Sequence, residues 1–223
     1  MTSNCWQCLK TIEANVLSGE WKKVSPPLLY WYEMFDAENT LIEKRLKELK
    51  PARVLEIGAG GGRIIEIVLK NSDATIVALE KNLELYELVK ERFKGNKRVQ
   101  IFLGEKLPDA TQRFDLALCM MNTLGNQQNE TEFIRYALSV SDHFIFTVYK
   151  KGMEEIRQGI YKAMGHKKFR LKDYCFYFDD SWVKGLISRG YSAPEIKKMC
   201  EAVNCKATIS DLCKIAYAAE LEN

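Results

Sequence analysis

The sequence predicts an α/β fold in which a mostly parallel sheet carries helices on both faces. Three observations carry this expectation. From residue 53 short apolar segments alternate with segments of helical period. The first apolar segment, Val54–Ile57, runs into a glycine-rich turn, Gly58-Ala59-Gly60-Gly61-Gly62, and then into a second apolar run, Ile64–Leu69. Two apolar stretches parted by a short turn close the chain.

The elements follow in order. Residues 9–20 predict an amphipathic helix with Leu9, Ile12, Val16 and Leu17 on one face, ended by Pro26-Pro27. Leu28–Phe35 is dense in aromatics and reads either as packing or as a wall over a ligand, with Tyr30 or Tyr32 in contact. A helix is expected to follow through Leu41, Ile42, Leu46 and Leu49. Residues 1–50 are thus expected to form a helical cap. Residues 51–223 are expected to form the sheet domain, with an inserted lid at about 150–191.

Within that domain the predicted strands are Arg53–Ile57, Thr75–Leu79, Val99–Leu103, Phe114–Met121 and His143–Tyr149. Helices are predicted over Arg63–Lys70, Leu83–Phe93 and Thr131–Val140. Met153–Met164 predicts a further helix and Val183–Tyr191 a strand. Ser192-Ala193-Pro194-Glu195 starts a helix reaching about Val203, and Lys206–Leu212 and Ile215–Leu221 read as strands. Ligands of such sheets bind beyond the carboxyl ends of the strands. Here those ends carry the glycine turn, Glu80, Gly104-Glu105 and Asn122.

Composition narrows the function. The chain has 223 residues, 33 basic and 30 acidic, for a net charge of +3. That balance argues against a protein that coats nucleic acid. No apolar run is long enough to span a bilayer, and the first residues lack the features of a signal peptide, so a cytoplasmic location with no membrane partner is expected. The seven cysteines are odd in number and irregularly spaced, unlike a disulfide framework. Cys5 and Cys8 form a CxxC pair. A zinc site there would need two more ligands, which Cys200, Cys205 or Cys213 would supply only through a fold contact. The plainer reading is free thiols and no metal.

The glycine turn selects among nucleotides. A Walker phosphate loop requires Gly-Lys-Ser/Thr, and Gly62 is followed by Arg63-Ile64. A dinucleotide turn requires a third glycine where Arg63 stands, and its ribose-binding acid would be Glu80. Glu56 sits two residues before the first glycine. A carboxylate there repels a pyrophosphate and favours an ammonium or sulfonium group.

Glu56-Ile57-Gly58-Ala59-Gly60-Gly61-Gly62 resembles the first motif of class I S-adenosylmethionine-dependent methyltransferases. Glu80 is similar to the second-strand acid of that family, and Gly104-Glu105 to its Gly-Asp pair, with Glu in place of Asp. Phe114–Asn122 resembles its fourth strand, and Asn122-Thr123-Leu124-Gly125-Asn126 resembles a segment of small-molecule N-methyltransferases of the glycine N-methyltransferase type. The resemblance spans roughly residues 28–221. It implies a Rossmann-like, three-layer, doubly wound sheet of seven strands with a C-terminal antiparallel hairpin. It implies S-adenosyl-L-methionine as cofactor and methyl transfer to the nitrogen or oxygen of a small-molecule acceptor.

The resemblance also implies roles. Glu56 faces the donor's ammonium, and Gly58, Ala59 and Gly60 line its methionine and ribose. Glu80, with Lys81 beside it, meets the ribose hydroxyls, and Gly104 and Glu105 lie near the adenine. Met121 and Asn122 close the pocket near the methyl. Tyr32, taken from the aromatic stretch rather than from the resemblance, is expected to touch the ligand. Asn122 is a candidate catalytic residue, and so is His166, one of only two histidines, whose loop Gly165–Lys168 leaves it either exposed or catalytic. Arg189 and Tyr191 are weighed as a grip on an acceptor carboxylate or phosphate, with an ordinary surface strand the better expectation for Arg189. Two rivals stand beside this reading. One is an RNA methyltransferase using the basic strip Lys167–Lys172. The other is a non-catalytic S-adenosylmethionine-binding domain. The oligomeric state is left open.

Overall fold

The computed structural model describes residues 26–109, 111–180 and 185–223. The predicted helix over 9–20 and the Cys5–Cys8 pair lie outside the described residues.

Five parallel strands form the centre: β1 (Arg53–Ile57), β2 (Thr75–Glu80), β3 (Val99–Leu103), β4 (Phe114–Cys119) and β5 (Ser141–Lys150), in the order β3-β2-β1-β4-β5. β1, β2 and β4 are covered on both faces, which is why they read as near-continuous apolar runs. The helices are α1 (Pro26–Leu49), α2 (Arg63–Asn71), α3 (Leu83–Arg92), α4 (Glu130–Val140), α5 (Glu154–Ala163) and α6 (Ala193–Glu201).

Alternation along each strand splits the core into two layers. On one face Val54, Ile76 and Leu116 pack with Ile42 and Leu46 of α1, Ile65 and Val68 of α2 and Val89 of α3. On the other Leu55, Leu79 and Ala117 pack with Phe133 and Ile134 of α4 and Ile196 of α6. Three further strands follow in the C-terminal half: β6 (Phe169–Lys172), β7 (Cys175–Phe178) and β8 (Ile187–Tyr191). They are followed by the closing hairpin β9 (Ala207–Cys213) and β10 (Ala216–Glu222). β10 pairs antiparallel with β5, and β9 with β10. The seven-stranded doubly wound sheet with its antiparallel hairpin is therefore present, in the order β3-β2-β1-β4-β5-β10-β9.

Three local expectations are corrected. The aromatic stretch Leu28–Phe35 is not separate from the helix after it. Both belong to α1, which starts at Pro26-Pro27 because proline needs no N–H partner in a first turn. The fourth strand ends at Cys119 rather than Met121, because Met121 and Asn122 take positive φ values of 54° and 61°. The strand expected from Val183 is described from Ile187.

The segment after β5 extends the sheet. β6, β7 and β8 pair antiparallel in succession. The end of β8 runs parallel to the end of β5, with Tyr149 opposite Gly190 and Lys150 opposite Tyr191. Tyr149 has Ala216 of β10 as its partner on the other edge. β8 thus takes up the edge of β5 that β4 leaves, since β4 pairs only as far as Phe146. The three extra strands hang at the carboxyl end of the parallel sheet, where the site lies. Among the described residues no helix is long and apolar enough to cross a membrane.

Candidate functional site

A cavity of about 1020 Å³ opens over the carboxyl ends of β1, β2 and β4 and is walled on its far side by α5 and β8. Eleven of the twelve residues singled out above line it: Glu56, Gly58, Ala59, Gly60, Glu80, Lys81, Gly104, Glu105, Met121, Asn122 and His166. Tyr32 does not line it and is buried within the protein, whereas Trp31 and Phe35, one helical turn apart on α1, do line it.

The turn between β1 and α2 owes its shape to its glycines. Gly58 has φ +92°, and a Cβ there would meet the Thr123 side chain at 2.7 Å. Gly60 has φ +54° with nothing within 4 Å of a Cβ, so its bare backbone fronts open space. The amides of Gly58 and Ala59 both donate to the Leu79 carbonyl, at 2.8 and 2.9 Å, and lock the turn onto β2.

Glu80 ends β2 and is buried. Its Oε2 accepts the Gly60 amide at 2.9 Å and its Oε1 the Asn82 amide at 2.8 Å. Two backbone donors thus fix a carboxylate whose oxygens each keep a further lone pair. The Gly104 amide donates to the Glu80 carbonyl at 2.8 Å. Glu105 pairs with Lys81 at 2.9 Å on the half-exposed rim, where an ion pair contributes little. Glu56 is buried at the cavity wall.

Met121 and Asn122 form the seam between the two sides of the cavity. The Met121 amide donates to Glu38 Oε1 at 2.8 Å and to Thr147 Oγ1 at 3.0 Å. Glu38 is fully buried, also accepts from the Thr147 hydroxyl, and is ion-paired with buried Arg63. Arg63 bonds Asn39 as well, and its guanidinium lies 4.4 Å from the Phe35 ring centre. α1 is thereby fastened to the glycine turn and to the ends of β4 and β5. Asn122 is buried, with its amide to the Thr147 carbonyl at 3.1 Å. Its Oδ1 accepts the Tyr149 amide at 3.1 Å and its Nδ2 donates to Ser188 Oγ at 2.9 Å. The Asn122 side chain therefore ties β8 to β5. Two consecutive left-handed residues cost about 1–3 kcal/mol each, a strain that these bonds offset.

The far wall holds His166, Tyr161 and Ser188. His166 is buried against Tyr161 and Phe178, with ring centres at 6.0 and 4.7 Å, and its Nδ1 lies 3.3 Å from Asp180 Oδ2. Burial holds the imidazole below its ordinary value of 6.5, while Asp180 pulls the other way. Arg189 and Tyr191 do not reach the cavity. Both engage Glu130, the Tyr191 hydroxyl at 2.9 Å, and fasten β8 to α4. Among the described residues no cluster of His, Cys, Asp and Glu is arranged as a metal would require.

Glu38, Arg63, Thr147, Tyr161, Arg157, Asp180 and Ser188 were missed from the sequence. Two of them carried a signal. Glu38 sits four residues after Met34 and four before Ile42, within the buried stripe of α1. Arg157 likewise falls on the same face as Ile160 and Tyr161 of α5. A charge inside an apolar stripe marks a buried polar contact.

No protein-family model matches the sequence, and no curated protein matches it. Solved structures do. An S-adenosylmethionine-dependent methyltransferase from Clostridium acetobutylicum aligns over 98% of this chain and 99% of its own, with a TM-score of 0.63 and 12% identity. A SAM-dependent methyltransferase from Aquifex aeolicus aligns over 94% and 97%, with a TM-score of 0.60 and 18% identity. The N-terminal domain of EvdMO1, solved with SAH bound, aligns over 83% and 80%, with a TM-score of 0.58 and 15% identity. The chain has the class I methyltransferase fold, as the sequence led us to expect.

Proposed function

We propose that this cavity binds S-adenosylmethionine and that the chain transfers its methyl group to a nitrogen or oxygen of a small molecule. One observation carries the reading. The strand-end residues of β1, β2 and β4 front a single cavity of about 1020 Å³, at the upper end of the range of about 300–1,000 Å³ usual for one ligand. It has room for a donor and a small acceptor together.

The residues fit the donor. Glu80 is held by two amides with lone pairs to spare, which suits the adjacent hydroxyls of a ribose. The open space beside Gly60 suits a ligand lying on the backbone. Glu56 gives the cavity wall a carboxylate, which suits a cationic group and disfavours a pyrophosphate. When bound, S-adenosylmethionine supplies an electrophilic methyl on a sulfonium.

The chain's own task is alignment, exclusion of water and removal of a proton. His166 is the base we assign. Asp180 holds its Nδ1 proton, which leaves the basic lone pair on Nε2. Burial keeps the ring neutral near pH 7. Asn122 has both amide atoms engaged within the protein, so we assign it to holding the seam rather than to the chemistry. The basic strip does not favour RNA over this reading. Lys167, Lys168, Arg170 and Lys172 are exposed, whereas Trp31, Phe35 and Phe178 give the cavity an aromatic wall. Titration calorimetry with S-adenosylmethionine and S-adenosylhomocysteine tests the proposal. Binding at micromolar strength is expected, and no binding of either overturns it.

A further inference from the structure

In the far wall of the cavity lies a hydrogen-bond chain whose direction is fixed by chemistry, and it starts at Arg157. This guanidinium is fully buried, with its charge over the rings of Tyr149 and Phe176 at 4.8 and 4.9 Å. Among the described residues it donates to oxygens of the neutral groups Ser188 and Tyr174. Its Nη2 donates to the Ser188 carbonyl at 2.6 Å and to Ser188 Oγ at 3.1 Å. Arginine only donates, so this bond fills one acceptor site of the hydroxyl.

Asn122 fills the other. Its Oδ1 accepts the Tyr149 amide, which fixes the orientation of the side chain. A flipped amide would set two donors face to face. The Nδ2 group therefore faces Ser188 Oγ and donates to it at 2.9 Å. With both lone pairs of Ser188 Oγ taken, its hydrogen goes to its third neighbour, Tyr161 Oη, at 2.8 Å. Tyr161 accepts that bond, and its own phenolic hydrogen must point elsewhere. Among the described residues the Tyr161 hydroxyl has no second partner, and Tyr161 lines the cavity.

We infer that Tyr161 donates a hydrogen bond to the acceptor molecule, and that this side of the cavity selects a flat, largely apolar molecule carrying a carbonyl or carboxylate oxygen. The inference rests on the proposed function for the word acceptor, while the donor-aimed hydroxyl itself does not depend on it. Trp31, Phe35, Tyr149 and Phe178 line the same space and favour a planar apolar body. Buried Arg157 adds a positive field behind Ser188 and strengthens the preference for an electron-rich oxygen. Arg157 and Asn122 position the hydroxyl, and Tyr161 touches the ligand.

A matched pair of probes tests this. Acetophenone and ethylbenzene have nearly the same shape and differ in one carbonyl oxygen. Their affinities for the protein loaded with S-adenosylhomocysteine are measured by ligand-observed NMR for wild type and for Tyr161→Phe. The ratio of the two affinities in favour of acetophenone is expected to fall about fivefold in the variant, the worth of one hydrogen bond. Calorimetry should find S-adenosylhomocysteine bound equally by both proteins, which shows the variant folded. An unchanged ratio overturns the inference, and so does binding of neither probe by wild type. Failure of S-adenosylhomocysteine to bind wild type strikes the proposed function instead, and the probe ratio is then read on the unloaded protein.

Discussion

The two ends of the cavity are built by different means. The end proposed to hold the donor is made mostly of backbone and strand-end groups close in sequence to the turns that carry them: the glycine turn after β1, Glu80 after β2 and Gly104-Glu105 after β3. The far end is made of side chains from α1, α5, β7 and β8, gathered by antiparallel pairing and by one hydrogen-bond chain. The first is held by short-range geometry that tolerates change elsewhere. The second is held by buried polar contacts and depends on every member. Glu38 is where they meet, since it bonds Arg63 at the turn and Met121 and Thr147 at the seam.

The largest expected effect comes from cutting that junction. Glu38→Ala leaves the buried Arg63 guanidinium without its carboxylate and the Met121 amide short of a partner. Breaking a buried pair from one side costs about 3–5 kcal/mol. Urea unfolding should show this loss, whereas Glu105→Ala, at the half-exposed rim, should cost under about 1 kcal/mol. Equal midpoints for the two variants would mean that Glu38 does not join the two ends.

A smaller effect separates the ends. Glu80→Ala removes the charged acceptor proposed for the ribose, a bond class worth about 1.5–3 kcal/mol. Calorimetry should find S-adenosylhomocysteine binding weakened between about tenfold and 150-fold. The preference for acetophenone over ethylbenzene should be unchanged, because Tyr161 and Ser188 lie on the other wall. A variant that loses both properties would show the cavity to be one coupled unit.

The same contrast decides what was legible in the sequence. The parallel sheet was, because strands buried on both faces must be apolar and their crossover helices must be amphipathic. That the glycine turn and the strand-end acids line one cavity was, because a tight turn with bare backbone needs glycine and a strand end facing open space takes a polar group. Tyr32 was misplaced because an aromatic run does not reveal which of its faces a helix turns inward. Trp31 and Phe35 share the face that reaches the cavity, and Tyr32 does not. Ser188, Tyr161 and Arg157 gave no local signal as a group. They lie on α5 and β8, brought together by the β8–β5 pairing, which rests on two residue pairs that no periodicity announces. Asn122 was noticed for its position in the chain, but its bonds to Tyr149 and Ser188 are tertiary.

The smallest effect concerns His166 and carries a definite sign. The group faces Asp180, which follows β7, and the Tyr161 ring from α5, with the Lys167 and Lys168 amides also on Asp180. Burial outweighs Asp180 and lowers the imidazole's affinity for a proton in the folded chain. The unfolded chain, with its ordinary value of 6.5, takes up that proton first. Stability should therefore fall as the pH drops below 6.5, and this loss should level off once the folded value is passed. His166→Gln removes the titrating group, so thermal unfolding measured from pH 8 to 5 should decline less steeply in the variant than in wild type. Identical slopes would show that the ring is not held neutral by its surroundings, and would remove the ground for making it the base. If the slopes differ as expected, an acid limb of methyl transfer lying below pH 6.5 should follow in wild type, because the folded value is the one at which the base becomes protonated.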